Sequence, residues 1–228
     1  MLKYLAAFCG VALAVSVMPA AHASGGPYVV DDAGITDPGM FKLESWASHA
    51  NNGSRAYVIA PGFTPASLPF VEFELGIERR RAGGDWETTF APAAKIAVRE
   101  VGADRFGLAL VMGTAHSGNF RTTETAYASI PLTVPVNDAL HLHFNAGLER
   151  DLGNSETAGM FGVAAQSFVS DRLEIIGEVF GGQTGRVGWQ AGLRPIVLDG
   201  SLALDFAYGR NLEGERGDWL TFGISTGF

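Results

Sequence analysis

Along most of the chain apolar and polar positions alternate with a period of two. Leu220, Phe222, Ile224, Thr226 and Phe228 are interleaved with Thr221, Gly223, Ser225 and Gly227. Leu202, Leu204, Phe206 and Tyr208 alternate with Ala203, Asp205, Ala207 and Gly209. The same rhythm runs through Leu140, Leu142, Phe144, Ala146 and Leu148, and through Val71, Phe73, Leu75 and Ile77. Side chains of a strand point to opposite faces in turn, so each segment has one greasy face and one polar or small face. No stripe at helical spacing appears after residue 23. The pattern predicts twelve strands, near residues 40–50, 55–61, 68–80, 86–101, 105–115, 122–134, 139–150, 157–169, 172–181, 186–198, 201–210 and 218–228. Ten or fourteen strands are the alternatives.

A soluble sandwich would also alternate, but three features favour a transmembrane antiparallel up-and-down β-barrel, an all-β fold. Many segments run nine to eleven residues or longer, the length of a tilted membrane-crossing strand and well above the ~5–6 of an ordinary one. Several polar faces are rich in Gly, Ala, Ser and Thr, as a crowded lumen requires. The final segment ends on the aromatic Phe228. Twelve is even, as bacterial single-chain barrels have it. The tight connections at 102–104, 135–138, 170–171 and 199–200 alternate with longer ones at 116–121, 151–156, 182–185 and 211–217. That alternation is expected of short periplasmic turns and longer external loops. The link 61–67 is too long for its side.

The N-terminus has a different character. Lys3 precedes an apolar run from Leu5 to Val17, and Ala21-His22-Ala23 forms a small-x-small cleavage site. This reads as a secretory signal peptide over residues 1–23, followed by a periplasmic N-terminal segment, 24–39, and the barrel, 40–228. Met18-Pro19 ends the apolar run too early for a spanning helix. Cleavage removes one Lys and no acid, moving the formal charge from −8 to −9, and takes the single Cys with it. Disulfides then play no part in holding the fold. An acidic chain without a basic stripe repels phosphate, so nucleic acid is excluded as a partner. With 47% hydrophobic and 18% charged residues the chain is not disordered. Its 30 glycines and mean hydropathy of +0.15 suit a lipid-embedded barrel.

Two stretches carry a family resemblance. Val29-Val30-Asp31-Asp32-Ala33-Gly34-Ile35-Thr36-Asp37-Pro38-Gly39 leads directly into Met40-Phe41-Lys42-Leu43-Glu44-Ser45-Trp46, and a central strand reads Leu142-His143-Phe144-Asn145-Ala146-Gly147-Leu148-Glu149-Arg150-Asp151. The first resembles the opening of outer-membrane proteins of the MetA-pathway of phenol degradation family, and the second is similar to that family's Asn-x-Gly strand. The strand ending in Phe228 resembles the assembly signal of outer-membrane barrels. The resemblance implies a barrel passing small solutes, aromatic ones among them. It transfers no catalytic residue.

With the greasy face placed outward, parity lists the lumen. The candidate selectivity residues are Glu72, Glu74 and Glu78 on one strand and Lys95 and Arg99 on the next, able to pair across a ladder ~4.8 Å wide. Beyond them lie Glu149, Glu174, Glu178, Arg194 and Asp205. Paired interior charges are structural by default, because unpaired ones in a confined space are costly. The acids of the later strands form a surplus, so an open path past Glu174 and Glu178 would prefer cations modestly.

The reaction-bearing motifs are few. His116-Ser117 is the tempting nucleophilic pair, but adjacent strand residues face opposite ways, and in a loop the pair is ordinary polar surface. His141 and His143 share one strand face and form a candidate metal pair, with no third ligand fixed by local spacing. No nucleotide, zinc-protease or hydrolase motif is present. The sequence therefore predicts a non-enzymatic barrel without cofactor. Its partners would be outer-membrane lipids, a small solute, and the assembly machinery reading Phe228. Two function classes stand: a passive channel, or a non-conducting structural or surface-interaction barrel. A lipid hydrolase is the weakest reading.

Overall fold

The computed structural model describes residues 26–82, 84–118, 122–182, 187–212 and 217–228; the expected signal peptide and its cleavage site lie outside them. Twelve strands close into one antiparallel barrel in which each pairs with its neighbours in sequence and the first pairs with the last. They are β1 (Phe41–Ala50), β2 (Arg55–Phe63), β3 (Val71–Ala82), β4 (Asp85–Arg99), β5 (Gly107–Ser117) and β6 (Thr122–Asn137), then β7 (Leu140–Asp151), β8 (Thr157–Ser170), β9 (Leu173–Gly182), β10 (Gly188–Val197), β11 (Leu202–Asn211) and β12 (Asp218–Gly227). The seam runs from Lys42 opposite Gly227 to Ala50 opposite Trp219. Reciprocal bonds between the backbones of Phe41 and Phe228, 2.7 and 2.9 Å, finish it. Closure leaves no strand edge unpaired, which matters in lipid, where an unsatisfied backbone group costs several kcal/mol.

The parity read from the sequence holds strand by strand. Leu148, Leu220, Phe161 and Phe206 are about half exposed or more on the outside, while Lys95, Glu174, Arg194 and Asp205 are buried inside. Such a surface is inverted relative to a soluble protein and matches an apolar bilayer. At the rim that holds both β1's start and β12's end, Phe41 stacks on Phe63 with centroids 4.3 Å apart and lies 6.1 Å from Phe228.

Two connections differ from expectation. The pair His116-Ser117 lies inside β5 rather than in a loop, which puts its two side chains on opposite faces of the wall. The link after β2 is 64–70, because Pro61-Gly62-Phe63 continues the ladder opposite β1. Residues 26–40 do not stand clear of the barrel as a periplasmic segment would. They turn inward and occupy the lumen, where inward-facing side chains satisfy their backbone groups and acids.

Candidate functional site

The N-terminal segment follows the inner wall from the last strands back to the first. Pro27 offers its carbonyl to Gln190 Nε2 on β10 at 2.9 Å. The N–H groups of Val29 and Val30 donate to the two oxygens of Glu178 on β9, at 2.8 and 2.9 Å. Asp31 and Asn145 on β7 exchange reciprocal bonds of 2.7 Å between backbone and amide. Ala33 N–H reaches Thr133 Oγ1 on β6 at 2.9 Å, and Thr36 gives both its N–H and its hydroxyl to Glu72 Oε2 on β3, at 2.7 and 2.6 Å. Val30 packs directly against Gly162 on β8, where a Cβ would sit 2.6 Å from the valine methyl. A turn over Asp37-Pro38-Gly39-Met40 then returns the chain to the wall. It is closed by Met40 N–H to Asp37 O at 3.0 Å, with Gly39 at φ 87°. Pro followed by a residue of positive φ is the signature of a type II turn.

Charge is organised around this segment. Lys42 Nζ on β1 lies 2.8 Å from Glu72 Oε1, 2.8 Å from Glu74 Oε2 and 3.9 Å from Glu44 Oε2. β2 stands between β1 and β3, and Lys42 crosses it over Gly62. Lys95, register partner of Glu72, turns instead to Asp31 and Asp32 of the segment, at 2.8 and 3.2 Å. The expected cross-ladder pairing of Glu72, Glu74 and Glu78 with Lys95 and Arg99 therefore gives way to other partners. The inserted segment supplies acids for Lys95, and Lys42 reaches the acids of β3. Glu78 pairs with Arg80 at 2.6 Å, and Arg99 lies over the Phe106 ring at 3.9 Å.

A polar belt completes the circumference. Gln166 on β8 donates its Nε2 to Glu174 Oε2 at 2.7 Å and presents Oε1 to His143 Nε2 at 3.0 Å. That orientation makes Nε2 the protonated nitrogen, leaving Nδ1 to accept from Thr133 Oγ1 at 2.9 Å. Arg194 holds Asp205 Oδ1 at 2.7 Å and lies 3.9 Å from Glu174 Oε2, with its guanidinium over the Tyr28 ring. Burial, reinforced by the negative charge of Asp205, pushes the Tyr28 hydroxyl above its ordinary range. Glu174, Glu178 and Asp205, expected as surplus acids beside an open path, are thus engaged and buried. Glu149 does face open space, at the register position opposite Tyr127. His141 packs edge-on to Phe168 at 4.8 Å, and both ring nitrogens of His143 are in use. Among the described residues no group of three or more potential ligands could hold a metal ion.

The segment divides the lumen into two vestibules. The one on the side of the tight turns, about 1010 Å³, is lined by Asp32, His141, Glu174 and turn residues such as Asp138 and Asp171. The one beyond, about 800 Å³, is lined by Tyr28, Asp31, Trp46, Glu74, Tyr127 and Glu149 among others. Sequence reasoning placed the inward charges but missed the segment itself and the roles of Asp31, Asp32, Thr36, Gln166 and Gln190. The signal available was Asp37-Pro38-Gly39, a reversal directly before the first strand.

A closed antiparallel barrel, apolar outside and polar within, is the architecture of outer-membrane β-barrel proteins. Within that class the chain belongs to a family described as "Uncharacterised conserved protein UCP029691", matched over residues 12–228. Its fold is similar to that of the KdgM porin (TM-score 0.62, 10% identity, covering 82% of this chain and 99% of that one). It is likewise similar to the NanC porin (0.61, 9%, 81% and 98%) and the COG4313 outer membrane channel from Pseudomonas putida F1 (0.61, 9%, 86% and 97%). At such identities the likeness is one of fold. No curated protein matches the chain.

Proposed function

We propose that this protein is a passive outer-membrane channel for small solutes, in which residues 26–40 form the constriction. One observation carries the reading: vestibules of about 1010 and 800 Å³ flank the segment, lined by charged groups such as Glu74, Glu149 and Glu174 together with aromatic and apolar side chains. A barrel serving only as a structural wall would fill this space with packed side chains. The shared fold of the porins supports the same reading. Aromatic solutes are favoured by the resemblance to the phenol-degradation family and by Tyr28, Trp46, Tyr127 and Phe180 around the farther vestibule. In this reading the chain resides in the outer membrane after cleavage near Ala23, is surrounded by lipid, and presents Phe228 to the assembly machinery. It performs no catalysis: His116 and Ser117 cannot act together from opposite faces.

The non-conducting barrel is the second reading, and it draws on the segment's many anchors to the wall. Planar-bilayer recording of refolded protein decides between them. Small discrete conductance steps are expected for the wild type, and larger ones when residues 26–36 are deleted. Electrical silence in both proteins would overturn the channel and leave the structural barrel.

A further inference from the structure

We propose that the outer wall around β1–β3 seats one molecule of lipopolysaccharide, a phosphorylated and multiply acylated glycolipid. Arg55, Arg79 and Arg81 hold a phosphate of its head, and a furrow along β1 holds one of its acyl chains. Arg55 and Arg81 are register partners on β2 and β3, with Cα atoms about 4.5–5.5 Å apart. Arg79 lies two residues back along β3 on the same outward face, opposite Tyr57. All three side chains are exposed. Like charges set directly opposite on a ladder repel, and nothing nearby neutralises them. Arg79 Nη1 donates to Thr88 Oγ1 at 3.0 Å and Arg81 Nε to the Gly84 carbonyl at 2.9 Å, both neutral groups. Among the described residues, the arginines that pair with carboxylates are Arg80, Arg172, Arg194 and Arg210 instead. Asp218, the acid beside the β1–β2 hairpin, is held by Arg210 at 2.6 Å.

Below the arginines the lipid-facing wall is hollowed. The outward residues of β1 here are the small Ser45 and Ala47. Ala47 stands between Tyr57 and Phe222, and Ser45 between Ile59 and Ile224. These large, exposed neighbours rise on both sides and leave a furrow of about 370 Å³, whose lining reaches Arg79. Ser45 Oγ donates to the Val58 carbonyl at 2.8 Å, so the floor keeps no unmet polar group. Tyr57 and Trp86 stack at 5.7 Å, with the Arg79 guanidinium 5.7 Å from the Trp86 ring. Tyr and Trp mark the membrane–water interface, which sets the arginines at headgroup depth and the furrow at acyl depth. This rim bears the longer connections 152–156 and 212–217, and the opposite rim the turns 138–139 and 171–172. Longer connections are external, so the seat faces the outer leaflet. An apolar furrow alone accepts any lipid tail. Three close guanidinium groups without a carboxylate select an anion with several oxygens, and phosphate matches their forked donors. Lipopolysaccharide joins both features in the outer leaflet. The inference rests on the external placement of this rim and not on whether the barrel conducts.

The test titrates the refolded barrel in mild detergent with purified short-chain lipopolysaccharide, and native mass spectrometry counts the bound lipid. One molecule per wild-type barrel is expected. Removing the phosphates from the glycolipid should weaken binding at least tenfold, and so should the double change Arg55→Gln/Arg81→Gln. Ala47→Trp, which fills the furrow and leaves every charge in place, should weaken it severalfold. Arg210→Gln, on the same rim but paired with Asp218, should bind as the wild type does. A heat-shifted band on cold electrophoresis verifies that each variant has folded, and the dephosphorylated glycolipid tests the seat without any variant. Equal binding of the two glycolipids, equal binding by wild type and the double variant, or a loss at Arg210→Gln as large as theirs would each overturn the proposal. So would displacement of lipopolysaccharide by an equimolar amount of phosphatidylglycerol.

Discussion

Lys42 stands among three carboxylates, and its removal is the most damaging single change expected in the lumen. Lys42→Met would leave Glu44, Glu72 and Glu74 facing one another without their cation, a loss of about 3–5 kcal/mol by the precedent of broken buried pairs. The folded, heat-resistant band on cold electrophoresis should be largely lost. Glu74→Gln should be mild by comparison, because Glu72 still holds Lys42 at 2.8 Å and Glu74 is partly exposed. Comparing the melting temperatures of the two variants checks the ranking. Tyr28 gives a pH-dependent counterpart. Its phenol is held protonated in the folded state, whereas in the unfolded chain it titrates near ~10. Above that pH the unfolded state binds fewer protons than the folded one, so stability falls as pH rises further. Tyr28→Phe is expected to flatten that alkaline fall, read as unfolding temperature against pH.

At the scale of elements, the strands were legible in the sequence and the segment was not. A strand announces itself through its own period, and all twelve appear within a few residues of the expected positions. Only their ends moved, as at β6, which runs on to Asn137 past a register shift at Pro135. The segment has no period, and its partners lie far away: Glu178 is 148 residues from Val30, and Asn145 is 114 from Asp31. Nothing local encodes such pairings. The inward charges were found by parity, but their partners were not, because the reach of Lys42 depends on the missing side chain at Gly62. The turn at Gly39 is the segment's hinge to the wall. Gly39→Ala forces a side chain into φ 87° and should destabilise the seated segment by about 1 kcal/mol. Faster proteolytic removal of residues 24–38 from an otherwise intact barrel would register it.

At the scale of the molecule, ion selectivity should follow the acids that face open vestibule rather than those tied into the belt. Glu149→Gln is expected to reduce a cation preference, because its carboxylate lines the 800 Å³ vestibule. Glu178→Gln should instead loosen Val29 and Val30, since charge-assisted bonds to their N–H groups contribute about 1.5–3 kcal/mol. Reversal potentials in a salt gradient separate the two, and the preference should fade as salt screens the field.

The path of the segment also has a consequence for the order of assembly. Gly26 lies beside Asp205 and Ser225, on β11 and β12, while Gly39 is tied to Thr64 near the first strands. The inner strap therefore cannot be fastened until β11 and β12 have been made and the sheet has closed. Contacts of this span bear the largest loop-closure entropy and form late. A chain lacking β11 and β12 would keep its first hinge but lose its last clasp, so a fastened strap marks a sheet that has closed.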